Sequence, residues 1–279
     1  MGKFNRENPP KVDNSLDESS TILVGPFIGE LSWEIYRFAP YIIYLKKKYP
    51  NKKIIVFTRR SRFDLYGKYA DILVPLKLYN DQIKNHYCFT IKGFDEKNYN
   101  LLKTIFKKKY EGEIDTSFHI YPNIKSFNYK LKWQFPRLLM DYDFKPRSLN
   151  RNIVEEYTKD LNKLVLVNDF YIKEELDNLI DRGYKIIYTD SFFKDMEKMI
   201  KNENCSFLGC ILELIKKCNF ILSKINSPYG NLSLLLKIPV ITVDEKISED
   251  LISLLNPYKT QAIVCDKIKK GIEYYEDNL

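Results

Sequence analysis

The sequence predicts an α/β protein of two domains, each a parallel sheet flanked by helices. Three observations predict it. Short apolar runs bounded by Gly, Pro, Asn or Asp alternate with helical stretches that carry one apolar stripe. The alternation runs once from Thr21 and again from Lys163, with an irregular Pro- and aromatic-rich passage between. Charge divides in the same way: residues 1–150 carry 27 basic and 16 acidic side chains, a difference of +11, and residues 151–279 carry 18 and 21, a difference of −3. Such asymmetry points to two bodies with different partners.

Residues 1–20, polar and with Pro9-Pro10, read as a flexible tail. The first domain is placed at 21–150. Thr21–Val24 is an apolar run stopped by Gly25-Pro26, which suits a buried parallel strand. The stripe Trp33, Ile35, Tyr36, Phe38, Ala39, Ile42, Ile43 and Leu45 predicts a helix, closed by Lys46-Lys47-Lys48 where cations match the helix dipole. Strands follow at Lys53–Thr58 and Ile72–Val74, with a short helix at Ser61–Tyr69 between them. Tyr87–Ile91 and Ser117–Tyr121 read as further strands. Between these two lies a helix over Asp95–Tyr110, with Leu101, Leu102, Ile105 and Phe106 turned inward.

The second domain is placed at 151–279. Its predicted strands are Leu164–Val167, Lys185–Tyr188, Phe220–Leu222 and Pro239–Val243. Helices are expected over Ile172–Ile180, about Phe192–Lys201, Ile211–Lys217, Gly230–Lys237 and around Lys267–Tyr275.

Composition excludes several classes. With 44% hydrophobic residues in 279, the chain can bury a core. No apolar run approaches the roughly 20 residues that span a bilayer, and the polar N-terminus lacks the apolar stretch of a secretory signal. Five scattered cysteines without a CxxC, beside only two histidines, argue against a zinc site and for reduced, buried thiols in the cytoplasm. No metal and no cofactor is expected.

Ligands of open parallel sheets bind at strand carboxyl ends, so the strand-to-helix junctions carry the chemistry. The first runs Gly25-Pro26-Phe27-Ile28-Gly29-Glu30-Leu31-Ser32-Trp33-Glu34. It fits neither GxGxxG nor a P-loop. A carboxylate here serves either as a general base toward an acceptor hydroxyl or as a mate for the helix N-terminus. The second junction is Ser223-Lys224-Ile225-Asn226-Ser227-Pro228-Tyr229-Gly230-Asn231, where a strand opens into a polar turn and a helix. Its helix start, with Lys224, Ser227 and Asn231, suits a phosphate; the plainer reading makes Ser227 and Asn231 caps and Pro228 an early helical residue. The third, Tyr188-Thr189-Asp190-Ser191, is polar but generic, as is Asn168-Asp169.

Together these stretches resemble glycosyltransferases of the GT-B fold, and in particular the heptosyltransferase-like group, which implies two Rossmann-like domains with parallel sheets facing across a cleft. The strand followed by Gly29-Glu30, with Pro40 along the helix, is similar to that group's Gly-Asp loop and helix proline. The resemblance makes Glu30 the catalytic base. The interval from Gly29 to Pro40 is about one helical turn longer than in that group, which leaves Glu34 as a rival base. Leu212–Leu222, the Ser227–Ser233 loop, Leu234–Lys237 and Ile238-Pro239-Val240-Ile241 resemble that group's helix, strand, Ser-Gly loop, helix and Lys-Pro-Val-Ile segment. The resemblance gives Lys224, Ser227, Tyr229, Gly230 and Asn231 to the donor, with Asn231 near the place of the loop's usual histidine. Asp190 and Ser191 line the same side. It implies an inverting, metal-independent transfer from a nucleotide-sugar.

The acceptor would lie on the first domain, near Gly29, Arg37, Arg59 and Arg60. The +11 there points to an anionic acceptor: DNA or RNA, a phosphorylated glycan, or a glycolipid at a membrane surface. Arg59-Arg60-Ser61-Arg62 follows a predicted strand and either holds a phosphate or is a solvated loop, whereas Lys107-Lys108-Lys109 reads as a solvated helix end. Tyr121, Phe127, Tyr129, Trp133 and Phe135 interleave with cations, which suits stacked bases or a packed interdomain surface. His86 and His119 stand apart from both loops. Two other classes remain: a nucleic-acid-binding protein on a degenerate transferase scaffold, and a transferase of non-sugar groups acting on polysaccharide.

Overall fold

The computed structural model divides into two units, Met1–Phe144 and Lys145–Leu279. It describes residues 16–25, 27, 31, 34–75, helical residues among 101–110, 113–114, 148–168, 173–200, 205–224, 227–243 and 262–278.

The first unit holds a parallel four-stranded sheet. Its strands are β1 (Thr21–Val24), β2 (Lys53–Thr58), β3 (Ile72–Pro75) and β4 (Glu113–Ile114), in spatial order β3-β2-β1-β4. β1 is buried throughout and β2 from Ile54 on, as β-branched runs covered on both faces must be. The register sets Ile22 beside Ile54 and Leu23 beside Ile55. β4 pairs Ile114 with Leu23. It is too short and too polar to show as an apolar run in the sequence; the strands expected at Tyr87–Ile91 and Ser117–Tyr121 lie outside the described residues.

Residues 16–20 correct the expectation of a loose tail to residue 20. Leu16 is fully buried, Asp17 accepts a hydrogen bond from the Tyr49 hydroxyl at 2.8 Å, and Lys52 bonds the Leu16 and Asp17 carbonyls. The first helix also departs from a simple α-helix. A wide π-helical turn, Glu34–Phe38, leads into α1 (Ala39–Lys48). Pro40 has no N–H to return to the carbonyl one turn back, which accords with the widened turn before it. The short helix expected at Ser61–Tyr69 is two 3₁₀ turns, Arg60–Leu65 and Gly67–Tyr69.

Leu101 and Ile105 overturn an expectation: they are exposed, at 57% and 46%. They share one helix face, and Tyr110, half a turn round on the other face, meets the sheet through a ring contact with Phe57 at 5.6 Å.

The second unit holds a parallel five-stranded sheet. Its order is β6-β5-β7-β8-β9, from β5 (Leu164–Val167), β6 (Lys185–Tyr188), β7 (Cys218–Leu222), β8 (Val240–Val243) and β9 (Ala262–Cys265). The helices are α2 (Ser148–Tyr157), α3 (Lys173–Asp181), α4 (Thr189–Met199), α5 (Phe207–Lys217), α6 (Pro228–Leu235) and α7 (Ile268–Asn278). The expected boundary at 150/151 runs through α2, a helix absent from the expected elements. α2 is tied to the start of α5 by Asn150, whose Oδ1 accepts the Ser206 N–H at 3.0 Å; Ser206 in turn caps α5 through the Gly209 N–H at 2.8 Å. One side of the sheet packs a core of Val165, Phe220, Leu222, Ile241, Ile268 and Ile272.

Among the described strands, each sheet has one place where strand order reverses. In the first unit the chain steps outward from β1 to β3 and then returns to β4 on the other side of β1. In the second it steps from β5 to β6 and then places β7 on the other side of β5. Crevices at the carboxyl ends of β1/β4 and β5/β7 follow from that topology.

Candidate functional site

The β1 end begins at Gly25. Its φ is +108°, and a Cβ there would lie 2.5 Å from the Phe57 carbonyl oxygen. Phe27 donates its N–H to that same oxygen at 3.0 Å. The glycine therefore serves a close crossing of the chain over the end of β2. Gly29 and Glu30, the expected acceptor contact and base, lie outside the described residues.

Glu34 is placed in the interior, with no exposed surface. Its carboxylate accepts from Thr58 Oγ1 at 2.6 Å, from Arg62 Nη1 at 2.5 Å and from the Tyr66 hydroxyl. Arg62 is likewise fully buried, with its guanidinium 5.8 Å from the Phe27 ring centroid. Burial, then the charge and hydrogen bond of Glu34, hold the Tyr66 hydroxyl well above the usual tyrosine range, so it stays a donor. The cluster joins the helix after β1 to the turn after β2.

Arg62 was read as part of one basic run. The run is in fact split by the 3₁₀ repeat of three residues: Arg59 (8% exposed) and Arg62 are buried, while Arg60 between them is exposed. The 59/62 spacing was the signal available in the sequence. Arg37 lies in the π-helical turn; the orientation of its side chain is outside the described residues.

In the second unit three strand ends are linked by side chains. Thr189, the first residue of α4, donates to Asn168 Oδ1 at 3.1 Å. Asn168, directly after β5, donates from Nδ2 to Ser223 Oγ at 3.4 Å. Ser223, directly after β7, lies 2.5 Å from Ser227 Oγ, and Ser227 caps α6 by accepting the Gly230 N–H at 3.0 Å. Backbone bonds pin both strand ends: the Asn168 N–H to the Leu222 carbonyl, and the Ser223 N–H to the Ile241 carbonyl.

Of the expected donor residues, Ser227 and Tyr229 are half-buried, Gly230 and Asn231 are buried, and Lys224 is exposed. Pro228 occupies the first turn of α6, as its missing N–H allows. Asp190 and Ser191 are exposed on α4, which starts at Thr189 where a loop was expected. It is the Thr189 hydroxyl that reaches inward. Asn168 and Thr189 had looked generic; the sign that set Asn168 apart is that it ends an apolar run in the same way as Ser223.

Three cysteines, Cys205, Cys210 and Cys218, are buried free thiols, and Cys265 is partly exposed. Burial pushes the Cys218 thiol up to about 12. Among the described residues no group of three or more His, Cys, Asp or Glu side chains could hold a metal ion, and no helix is long and apolar enough to cross a membrane. His86, His119 and the aromatic segment from Tyr121 to Arg137 lie outside the described residues.

No protein-family model and no curated protein matches the sequence. Among solved structures the chain is similar to a glycosyl transferase of family 9 from Veillonella parvula DSM 2008. The two share 13% identity, over 88% of this chain and 86% of that one, with a TM-score of 0.54. It is also similar to the ADP-heptose LPS heptosyltransferase II of E. coli, at 12% identity over 88% and 89% of the two chains, with a TM-score of 0.50. The likeness is one of fold: the α/β, GT-B-like architecture with parallel sheets is shared with these proteins.

Proposed function

We propose that the chain is a glycosyltransferase that moves a sugar from a nucleotide-sugar to a hydroxyl of an anionic acceptor, with inversion and without a metal. Fold alone does not assign an activity. The observation that carries the reading is the polar convergence of Thr189, Asn168, Ser223 and Ser227 at the β5/β7 reversal, in a chain that shares its fold with sugar transferases.

In this reading the second unit holds the nucleotide diphosphate at the Ser223–Gly230 turn. Ser227 and Lys224 meet the charge that develops on the leaving phosphate. Tyr229, Gly230 and Asn231 shape the same turn. The first unit binds the acceptor, whose negative charge is matched by the +9 of residues 1–144, 25 basic against 16 acidic side chains. Glu30 takes the proton from the attacking hydroxyl. Glu34 is assigned to anchoring instead, because it has no exposed surface and already holds three donors. The heptosyltransferase neighbour is described as acting with ADP-heptose, so adenine-based sugar donors are the first to try.

The test is a donor-consumption assay over a set of nucleotide-sugars with a chelator present. Release of one nucleoside diphosphate that is lost in Glu30→Gln, with nucleotide binding kept, is the expected result. Turnover near wild type in that variant removes Glu30 from the role, and activity that returns only with a divalent ion overturns the metal-free mechanism.

A further inference from the structure

The relay in the second unit can be given a direction by following its protons. The Thr189 hydroxyl spends its proton on Asn168 Oδ1. The side-chain amide of Asn168 then offers an N–H to Ser223 Oγ. Ser223 has a single proton and two acceptors in reach, the Lys224 carbonyl at 3.2 Å and Ser227 Oγ at 2.5 Å. Either serine can donate across the 2.5 Å contact, and we assign it the Ser223 proton. Ser227 Oγ thereby accepts twice, from Ser223 and from the Gly230 N–H. Both of its lone pairs are filled, and its own proton is left to point away from the chain. Ser223 is fully buried and Thr189 nearly so, whereas Ser227 is half-buried, so the relay runs from the interior to a surface hydroxyl.

We propose that Asn168 is a positioning residue: through Ser223 it sets the Ser227 hydroxyl as an outward hydrogen-bond donor for a phosphate oxygen of the donor nucleotide. The proposal rests on the transferase reading and deepens it at one residue. A chain of hydrogen bonds all donated in one sense polarises each member, which makes the last proton the strongest donor. The amide suits the hub because it offers an acceptor to Thr189 and a donor to Ser223 at once. An aspartate of the same shape has acceptors only. It would draw the Ser223 proton toward itself, leave Ser227 to donate to Ser223, and so turn the relay round.

The test is titration calorimetry of the full chain with ADP, UDP, GDP and CDP, and with inorganic pyrophosphate, on wild type, Asn168→Asp, Ser227→Ala and the double variant. Losing one hydrogen bond to a charged oxygen weakens binding by about tenfold or more. The expected result is such a loss in Asn168→Asp with an unchanged melting temperature, and no further loss when it is added to Ser227→Ala. Multiplying losses in the double variant would show that the added charge acts directly on the ligand, and would overturn the relay. So would full affinity in Asn168→Asp, while leaving the transferase reading in place. A wild-type chain that binds none of the probes overturns that reading and the relay with it. Asn168→Ala, which deletes the hub without adding charge, separates repulsion from repositioning: it must also weaken binding, and unchanged affinity there counts against the proposal.

Discussion

Glu34 and Arg62 form an ion pair at 2.5 Å in which neither side chain has any exposed surface. Taking two charges out of water is costly, and the cost is offset here by Thr58 and Tyr66, which add donors to the same carboxylate. Removing one partner leaves the other charge buried and uncompensated. Glu34→Gln is expected to destabilise the first unit by about 3–5 kcal/mol. Adding Arg62→Met should restore part of that loss, because the stranded guanidinium is gone. Both tryptophans, Trp33 and Trp133, fall in the first unit, so urea unfolding followed by tryptophan fluorescence reads this unit alone. A double variant no more stable than Glu34→Gln would contradict the pairing.

Tyr66 makes the same cluster sensitive to alkali. Its hydroxyl is held above the usual tyrosine value in the folded chain, so as pH rises the unfolded chain loses this proton first. The contribution is present below about pH 10 and is lost above it. Tyr66→Phe should be less stable at neutral pH, having lost a bond to Glu34, yet show a shallower fall in fluorescence-detected stability above pH 10. Parallel curves for the two proteins would place the alkaline sensitivity elsewhere.

Gly25 is a position where the backbone allows no side chain. Gly25→Ala meets both a φ of +108° and the Phe57 carbonyl oxygen at 2.5 Å. The strain is worth about 1–3 kcal/mol before the clash is added. A drop of at least that size in the fluorescence-detected urea midpoint is expected. Wild-type stability would mean that the chain does not cross β2 as described.

Gly209 and Asn150 form a matched pair in the second unit. A Cβ at Gly209 would lie 2.0 Å from Asn150 Nδ2. Gly209→Ala should therefore destabilise the second unit by about 1–3 kcal/mol, the usual cost of overpacking. Asn150→Ala gives up the bond to the Ser206 N–H but clears the space, so the double variant should lose less than the two single losses summed. Additive losses in calorimetric melting would mean that the two residues do not touch.

Much of the fold was legible in the sequence because parallel strands buried on both faces must be apolar runs. Thr21–Val24, Lys53–Thr58 and Leu164–Val167 stand out for that reason. β4 did not, since it is two residues long and one of them is Glu113, whereas β9 is an apolar run as long as β1 that the expected strands leave out. Leu101 and Ile105 misled because apolar character was taken for burial, and exposed apolar side chains are common. At the second junction, the Ser227 cap on the Gly230 N–H was legible from the polar turn that follows a strand. The link to Asn168 and Thr189 was not, because it joins residues brought together only by the order β6-β5-β7. Glu34 looked like a rival base because its partners, Arg62 and Tyr66, lie 28 and 32 residues away in sequence.

The central claim is that the second unit binds the nucleotide of a sugar donor. Thermal unfolding of the full chain, with chelator, across the four nucleoside diphosphates and their common sugar conjugates tests it most directly. A ligand at a hundred times its dissociation constant stabilises by about 2.7 kcal/mol, a shift of a few degrees. The account predicts that one nucleotide base raises the melting temperature in both its free diphosphate and its sugar-linked form. The same melting temperature with every compound would contradict it.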